Sequence, residues 1–193
     1  MPPSKRDDLV DAAMRVFYRQ GFHTSSLDDI QKEGGISRMT LYNHFKSKDE
    51  LIIAAMRRRD EIFRNQLMKF VDSKGKTPLE RIIAVFDFHE EWFEGEEFCG
   101  CMFINAAAEF FAAKSTPRRL AADHKLEIIR YLSGLCKAAG IQDPDETAEQ
   151  LSILLEGAIV TARVVGQVTE SEGGPGVSAR RAKRMAMAVL DQG

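Results

Sequence analysis

The chain has 193 residues, 44% hydrophobic and 29% charged, enough for one or two domains with a packed core and too apolar for a disordered chain. A formal net charge of -2 excludes a generic polyanion binder, so any attraction to nucleic acid must come from the placement of charges. Three cysteines, Cys99, Cys101 and Cys136, with no secretion signal argue against a disulfide framework.

Residues 1–8 are polar and lack the apolar core of a signal peptide, and no uncharged apolar run approaches membrane-spanning length, so a soluble, cytoplasmic protein is expected, with no membrane partner. Ser4 with Asp7 predicts a capped helix start, and Leu9, Ala13, Val16 and Phe17 then recur at helical spacing to near Gly21. Ser26 predicts a second capped helix ending at Gly34-Gly35, and Ser37 a third of about two turns. Two short helices meeting through a glycine turn describe a helix-turn-helix.

In the third helix Leu41 and Phe45, four apart, define the inward face. Opposite lie Met39, Thr40 and Asn43, flanked by Arg38, Tyr42 and His44. Asn pairs bidentately with adenine, Thr and Met meet a thymine methyl, and Arg38, His44, Lys46 and Lys48 have the reach and charge for phosphate. No acid interrupts residues 36–48, although residues 1–50 carry equal numbers of acids and bases. Ser47 and Glu50 form a capping box that opens the next helix.

The run Gly21-Phe22-His23-Thr24-Ser25-Ser26-Leu27-Asp28-Asp29-Ile30, then Gly35-Ile36-Ser37, then Thr40-Leu41-Tyr42-Asn43-His44-Phe45-Lys46-Ser47-Lys48-Asp49-Glu50-Leu51, resembles the amino-terminal domain of the TetR family of bacterial repressors over roughly residues 8–56. The resemblance implies that Arg38, Met39, Thr40, Asn43 and His44 lie in or beside the major groove, with Ser26, Tyr42 and Lys48 on phosphates. Gln31 and Asp28 depart from the family pattern, the former replacing a small apolar residue and the latter a basic or neutral one.

From Ser47 a long helix is expected to about Asp72, with Leu51, Ile52, Ala55, Met56, Ile62, Phe63, Leu67 and Phe70 as its stripe and Arg57-Arg58-Arg59 as a solvated face. Thr77-Pro78 opens a helix to about Gly95, apolar over much of its circumference and hence buried or bordering a cavity. A helix from Cys101 to Ala113 follows, with Asn105 and Glu109 on one side, in a stretch similar to a recurring TetR sixth-helix pattern. Thr116-Pro117 opens another helix, stopped by Gly140, and Asp143-Pro144 opens the next, to about Val168. Residues 171–176 read as a flexible break, and a last helix starts at Ser178.

With no strand-period segment and no repeat, the chain reads as all-α with about nine helices: a three-helix DNA-binding domain over residues 1–47 and a ligand-binding and dimerisation bundle over 48–193, with 48–72 as the connecting helix. Small residues Gly157, Ala158, Thr161 and Ala162 suggest close two-fold approach of the last two helices in a homodimer. The aromatic and sulfur-bearing groups Phe86, His89, Trp92, Phe93, Met102, Phe103, Phe110 and Tyr131, with Ile128, are candidates to line an effector pocket in which Asn105, Glu109 and His124 orient the ligand.

The pair Cys99 and Cys101 lacks the further ligands that zinc needs, so no metal is expected and a reactive thiol is the alternative to simple burial. His89 and His124, on apolar stripes, read as buried histidines with one hydrogen bond or as pocket lining. No nucleophile, base and orienting group assemble, and no cofactor motif occurs, so neither enzyme nor cofactor is expected. The sequence points to a repressor that binds a pseudo-palindromic double-stranded operator as a dimer and is released by a small apolar or aromatic effector. The alternatives are a thiol-sensing repressor using Cys99 or Cys101 and a ligand-independent DNA binder.

Overall fold

A computed structural model describes residues 4–166 and 174–191, and among them every regular element is an α-helix. In chain order these are α1 (Lys5–Gln20), α2 (Leu27–Gly34), α3 (Arg38–His44), α4 (Lys48–Lys74), α5 (Pro78–Glu94), α6 (Met102–Glu109), α7 (Thr116–Ala138), α8 (Pro144–Val164) and α9 (Val177–Leu190). The expected break at residues 171–176 falls partly, at 171–173, outside the described residues.

The chain divides into two compact units, Met1–Phe63 with Met102–His124, and Arg64–Cys101 with Lys125–Gly193. The first holds α1 to α3, the amino-terminal part of α4, α6 and the start of α7. Its core starts from α1, where Ser4 and Asp7 cap the first turn reciprocally and Leu9, Val10, Ala12, Ala13, Val16 and Phe17 are buried. Against that face pack α2 and α3. Glu33 of α2 takes Arg15 at 2.7 Å and also Arg19, two salt bridges that fix α2 along α1.

In the second unit α5, α8 and α9 pack on one another. Thr77 and Glu80 form a capping box at the start of α5, with Pro78 in its first turn, and Phe86 and Phe93 are fully buried. Arg180 of α9 reaches Glu90 at 2.6 Å and Lys183 reaches Asp87 at 2.5 Å, while Ala179, Ala182 and Ala186 let α9 close on its neighbours.

Three expectations change on packing. Along α4 the buried stripe runs Phe63, Leu67, Val71, while Ile62 and Phe70 are only partly covered, because a step of four after Leu67 keeps the buried side in line. The sixth helix ends at Glu109, well before Ala113: the Phe110 amide closes the last turn on Ala106, and the Phe110 ring turns onto Phe22 and His23. On α8, Ala158 and Ala162 are buried within the chain's own core. The outward stripe is instead Ile153, Gly157, Val160 and Val164, at steps of four, three and four, with Ile153 71% and Val164 62% exposed and open space above Gly157.

Candidate functional site

The helix-turn-helix is built by caps. Ser26 Oγ accepts the Asp29 amide at 3.1 Å, while the Asp29 carboxylate accepts from the Ser26 hydroxyl at 2.6 Å and from the Ser26 amide at 2.8 Å, and these last two bonds, the hydroxyl first, hold the Asp29 carboxyl below the ordinary aspartate range. Gly35 ends α2 in the left-handed region, at φ 60°, where a side chain is strained, and so turns the chain toward α3. Ser37 Oγ then accepts the Thr40 amide at 3.2 Å to start α3.

Leu41 is fully buried and Phe45 nearly so, which sets the rotation of this short helix. Its opposite face carries Arg38, Met39, Tyr42, Asn43 and His44, all exposed, with Met39 74% exposed and Thr40 partly covered by its 2.9 Å contact with Ser37 Oγ. The Arg38 guanidinium lies 5.8 Å from the Tyr42 ring centre. The helix holds no acid, so its exposed face combines donors, acceptors, an apolar tip and positive charge.

Lys46 is exposed beside this face, and its amide is taken by the Glu50 carboxylate at 2.8 Å. Glu50 thus reaches one residue further back than the expected capping box, while Ser47 Oγ accepts the Glu50 amide at 3.2 Å. Lys48 has a second task besides the phosphate contact expected of it: its ammonium donates to the carbonyls of Ser25, at 2.5 Å, and His23, at 3.4 Å. The arginine triplet separates into three roles. Arg58 pairs with Asp11 at 3.1 Å, Arg59 lies over the rings of Tyr18 and Phe63, and Arg57 lines a groove of about 550 Å³ shared with Arg6, Asp7, His44 and Glu50.

Sequence reasoning missed what holds the turn between α1 and α2. The Glu109 carboxylate at the end of α6 accepts the Phe22 amide at 2.9 Å and the His23 amide at 2.7 Å, and His23 Nε2 donates back to the Glu109 carbonyl at 3.0 Å. Gly21 makes room: a Cβ there would come 3.0 Å from a Glu109 oxygen, and its φ of 86° also disfavours a side chain. The only signal in the sequence was an acid near the end of an apolar helix.

The candidate effector residues fall into separate sets. Within the second unit, His89, Trp92 and Phe93 form a ring cluster with Phe88 and Phe98, centroids 5.0–6.0 Å apart, and His89 Nδ1 donates to the Val85 carbonyl at 2.7 Å. Phe86 is buried beside Val85 in the core of α5, Ile128 is buried on α7, and Tyr131 is partly covered, with burial pushing its phenol up. Within the first unit, Phe103 stacks on His124 at 3.8 Å, and His124 Nδ1 meets Asp60 at 2.7 Å. Met102 is buried, Asn105 is partly exposed, and Glu109 and Phe110 are engaged with Phe22 and His23. Asp60 was not foreseen, because its partner lies 64 residues away. Cys136 is buried, which raises its thiol, Cys101 is buried too, and Cys99 is half-buried.

This architecture has relatives. The family model described as bacterial regulatory proteins, tetR family, matches residues 9–55, which hold the caps and α3. The transcriptional activator FasR of Mycolicibacterium smegmatis is 34% identical over 95 residues, 47% of this chain and 43% of that protein. The repressor KstR2 of the same organism is 29% identical over 85 residues, 44% of this chain and 41% of that protein, so the match spans less than half the length of either relative. The crystal structure of a TetR-family transcriptional regulator from Streptomyces coelicolor superposes with a TM-score of 0.86 at 26% identity, covering 100% of this chain and 91% of that one. The match thus shows a DNA-binding domain of the tetR family over residues 9–55, and the likeness over the full length shows the fold of a TetR-family transcriptional regulator around it.

Proposed function

We propose that this protein is a ligand-responsive transcriptional repressor that binds a pseudo-palindromic DNA operator as a homodimer and releases it on binding a small apolar or aromatic effector. The observation that carries the DNA reading is the acid-free outward face of α3, fixed by the Ser37 cap and by Leu41 and Phe45. Asn43, Met39 and Thr40 read base edges, Arg38 and His44 stand in or beside the groove, and Ser26, Tyr42, Lys46 and Lys48 hold phosphates. The exposed apolar stripe of α8 with Met185 on α9 favours burial against a second copy, and a two-fold dimer presents two reading helices to successive major grooves, about 34–36 Å apart.

Effector response is assigned to the second unit, where Phe86, His89, Trp92, Phe93 and Tyr131 supply aromatic groups and Ile128 apolar lining. An effector acts only through unequal affinity for two states, and a tenfold loss of DNA affinity needs a coupling of about 1.4 kcal/mol. The contact of Glu109 with Phe22 and His23 gives α6 a direct hold on the turn before α2, through which such a bias reaches the reading helix.

The test is selection of bound sequences from random DNA, followed by gel shifts of the selected site against a panel of hydrophobic compounds while the fluorescence of Trp92 is followed. Enrichment of a palindrome, its release by a compound and a concurrent emission change are expected. Equal binding of random and selected DNA removes the operator reading, and a reporter gene downstream of the site distinguishes repression from activation.

A further inference from the structure

At the corner where α2 packs on α3, an acid stands beside the reading helix. The buried residue of α2 is Ile30, and Asp28, two residues earlier and so about 160° round the helix, is exposed on the outward side. Across the corner its carboxylate acts on the guanidinium of Arg38, the first residue of α3. Among the described residues Asp28 forms no close ion pair, and it accepts a hydrogen bond from Gln31 Nε2 at 3.4 Å.

Arg38 is thus flanked on two sides. Its guanidinium lies 5.8 Å from the Tyr42 ring centre, and the Tyr42 side chain first, through a hydrogen bond, and then the Asp28 carboxylate push it further toward the charged form. A contact to phosphate needs no such orientation, and an acid beside it works against the attraction. A planar fork that must meet two acceptors at once does need it. In the major groove the base edge with two acceptors side by side is guanine, through O6 and N7.

We propose that Asp28 is a positioning residue that aims the Arg38 fork at a guanine, so that the pair determines one base of each operator half-site. This rests on the regulator reading and adds to it the base that Arg38 selects. The Asp28 charge repels phosphate and lowers affinity for every duplex, and only a duplex with guanine in reach of Arg38 offsets that loss. The acid therefore sharpens discrimination by weakening the binding of wrong sequences.

The experiment selects bound sequences from random duplexes with the full-length protein and with Asp28→Asn, Arg38→Ala and Arg38→Lys, all changes at exposed side chains that should keep the fold. The natural protein is expected to enrich one guanine per half-site that Arg38→Ala makes indifferent and that Arg38→Lys, a charge without a fork, does not restore. Asp28→Asn, similar in shape and still able to accept from Gln31, is expected to lower the preference for that guanine about tenfold, to leave the other positions as they are and to raise affinity for random DNA severalfold. Added to Arg38→Ala, it should change nothing further at that position. An unchanged guanine preference in Asp28→Asn, an Arg38→Ala protein that relaxes no base position, or another base at the position Arg38 controls overturns the proposal. Failure of the natural protein to enrich any sequence overturns the regulator reading instead.

Discussion

The carboxylate of Glu109 lies 2.7 Å from the backbone nitrogen of His23, so the end of α6 supplies the hydrogen-bond acceptor that the turn between α1 and α2 lacks within itself. A carboxylate accepting two amides is a charge-assisted arrangement, and its loss strands the partly buried Phe22 amide while the exposed His23 amide turns to water. Glu109→Ala is expected to destabilise the protein by about 1–3 kcal/mol and to weaken DNA binding. Glu109→Gln, which keeps one acceptor oxygen, should retain part of both. Thermal unfolding by circular dichroism decides the point: an unchanged midpoint in Glu109→Ala removes the clasp from the stability of this domain.

Base reading and phosphate holding separate by mutation. Asn43→Ala is expected to cost about 1–3 kcal/mol on the specific site and to relax preference at one base position. Lys46→Ala should weaken all sequences and flatten the salt dependence while leaving the melting temperature alone, since its side chain is exposed. Lys48→Ala should do the same and also lower the melting temperature, because its ammonium braces the carbonyls of Ser25 and His23. Salt titrations of specific and random duplexes, with a melt of each variant, test all three. Equal losses on both duplexes for Asn43→Ala end its reading role.

Acid should loosen the DNA-binding helices. The Glu33 carboxyl is held below its ordinary value of 4.5 by hydrogen bonds from Arg15 and then Arg19, with burial opposing, and Asp7 and Asp29 are lowered by their Ser4 and Ser26 caps. A folded-state value below the unfolded one means stability that is complete above the unfolded carboxylate range, about pH 4 to 4.5, and is lost as pH falls through the folded values. Melting temperatures should therefore hold from neutrality to about pH 5 and then drop, and Glu33→Gln should shrink the drop. An identical acid profile in that variant excludes the Arg15 and Arg19 bridges as its source.

Dimerisation through α8 and α9 is testable at the apolar stripe. Val164→Asp places a charge among Ile153, Gly157 and Val160 on a face that makes no contact within the subunit core, so the monomer fold should survive. Sedimentation at micromolar concentration is expected to show a dimer for the natural protein and a monomer for the variant, with a loss of cooperative operator binding. A dimer unaffected by Val164→Asp and by Val160→Asp places the interface elsewhere.

Trp92 sits in the ring cluster with His89, Phe93 and Phe98, so its emission should report on effector binding in the second unit. Trp92→Ala is expected to blunt release of DNA by the effector while leaving DNA binding without effector within about twofold, or about 0.4 kcal/mol. Release that persists at the same effector concentration in this variant removes Trp92 from the effector site.

The helices and the outward face of α3 are legible in short stretches of sequence. Caps at Ser4, Ser26, Ser37 and Thr77 act within three residues, and the step of four from Leu41 to Phe45 orients α3 whatever lies beneath it. Local hydrogen bonds and helical periodicity are properties of short stretches, so they are visible before folding. Which distant groups meet follows from packing. Glu109 finds Phe22 across 87 residues, His124 finds Asp60 across 64, and Lys125 finds Cys101 and Glu156 from 24 and 31 residues away. Packing likewise turns Ala158 and Ala162 into the core of the chain and leaves Ile153, Val160 and Val164 facing outward. Such choices depend on how whole helices rotate against one another, and no spacing within one helix encodes the face its neighbour will present.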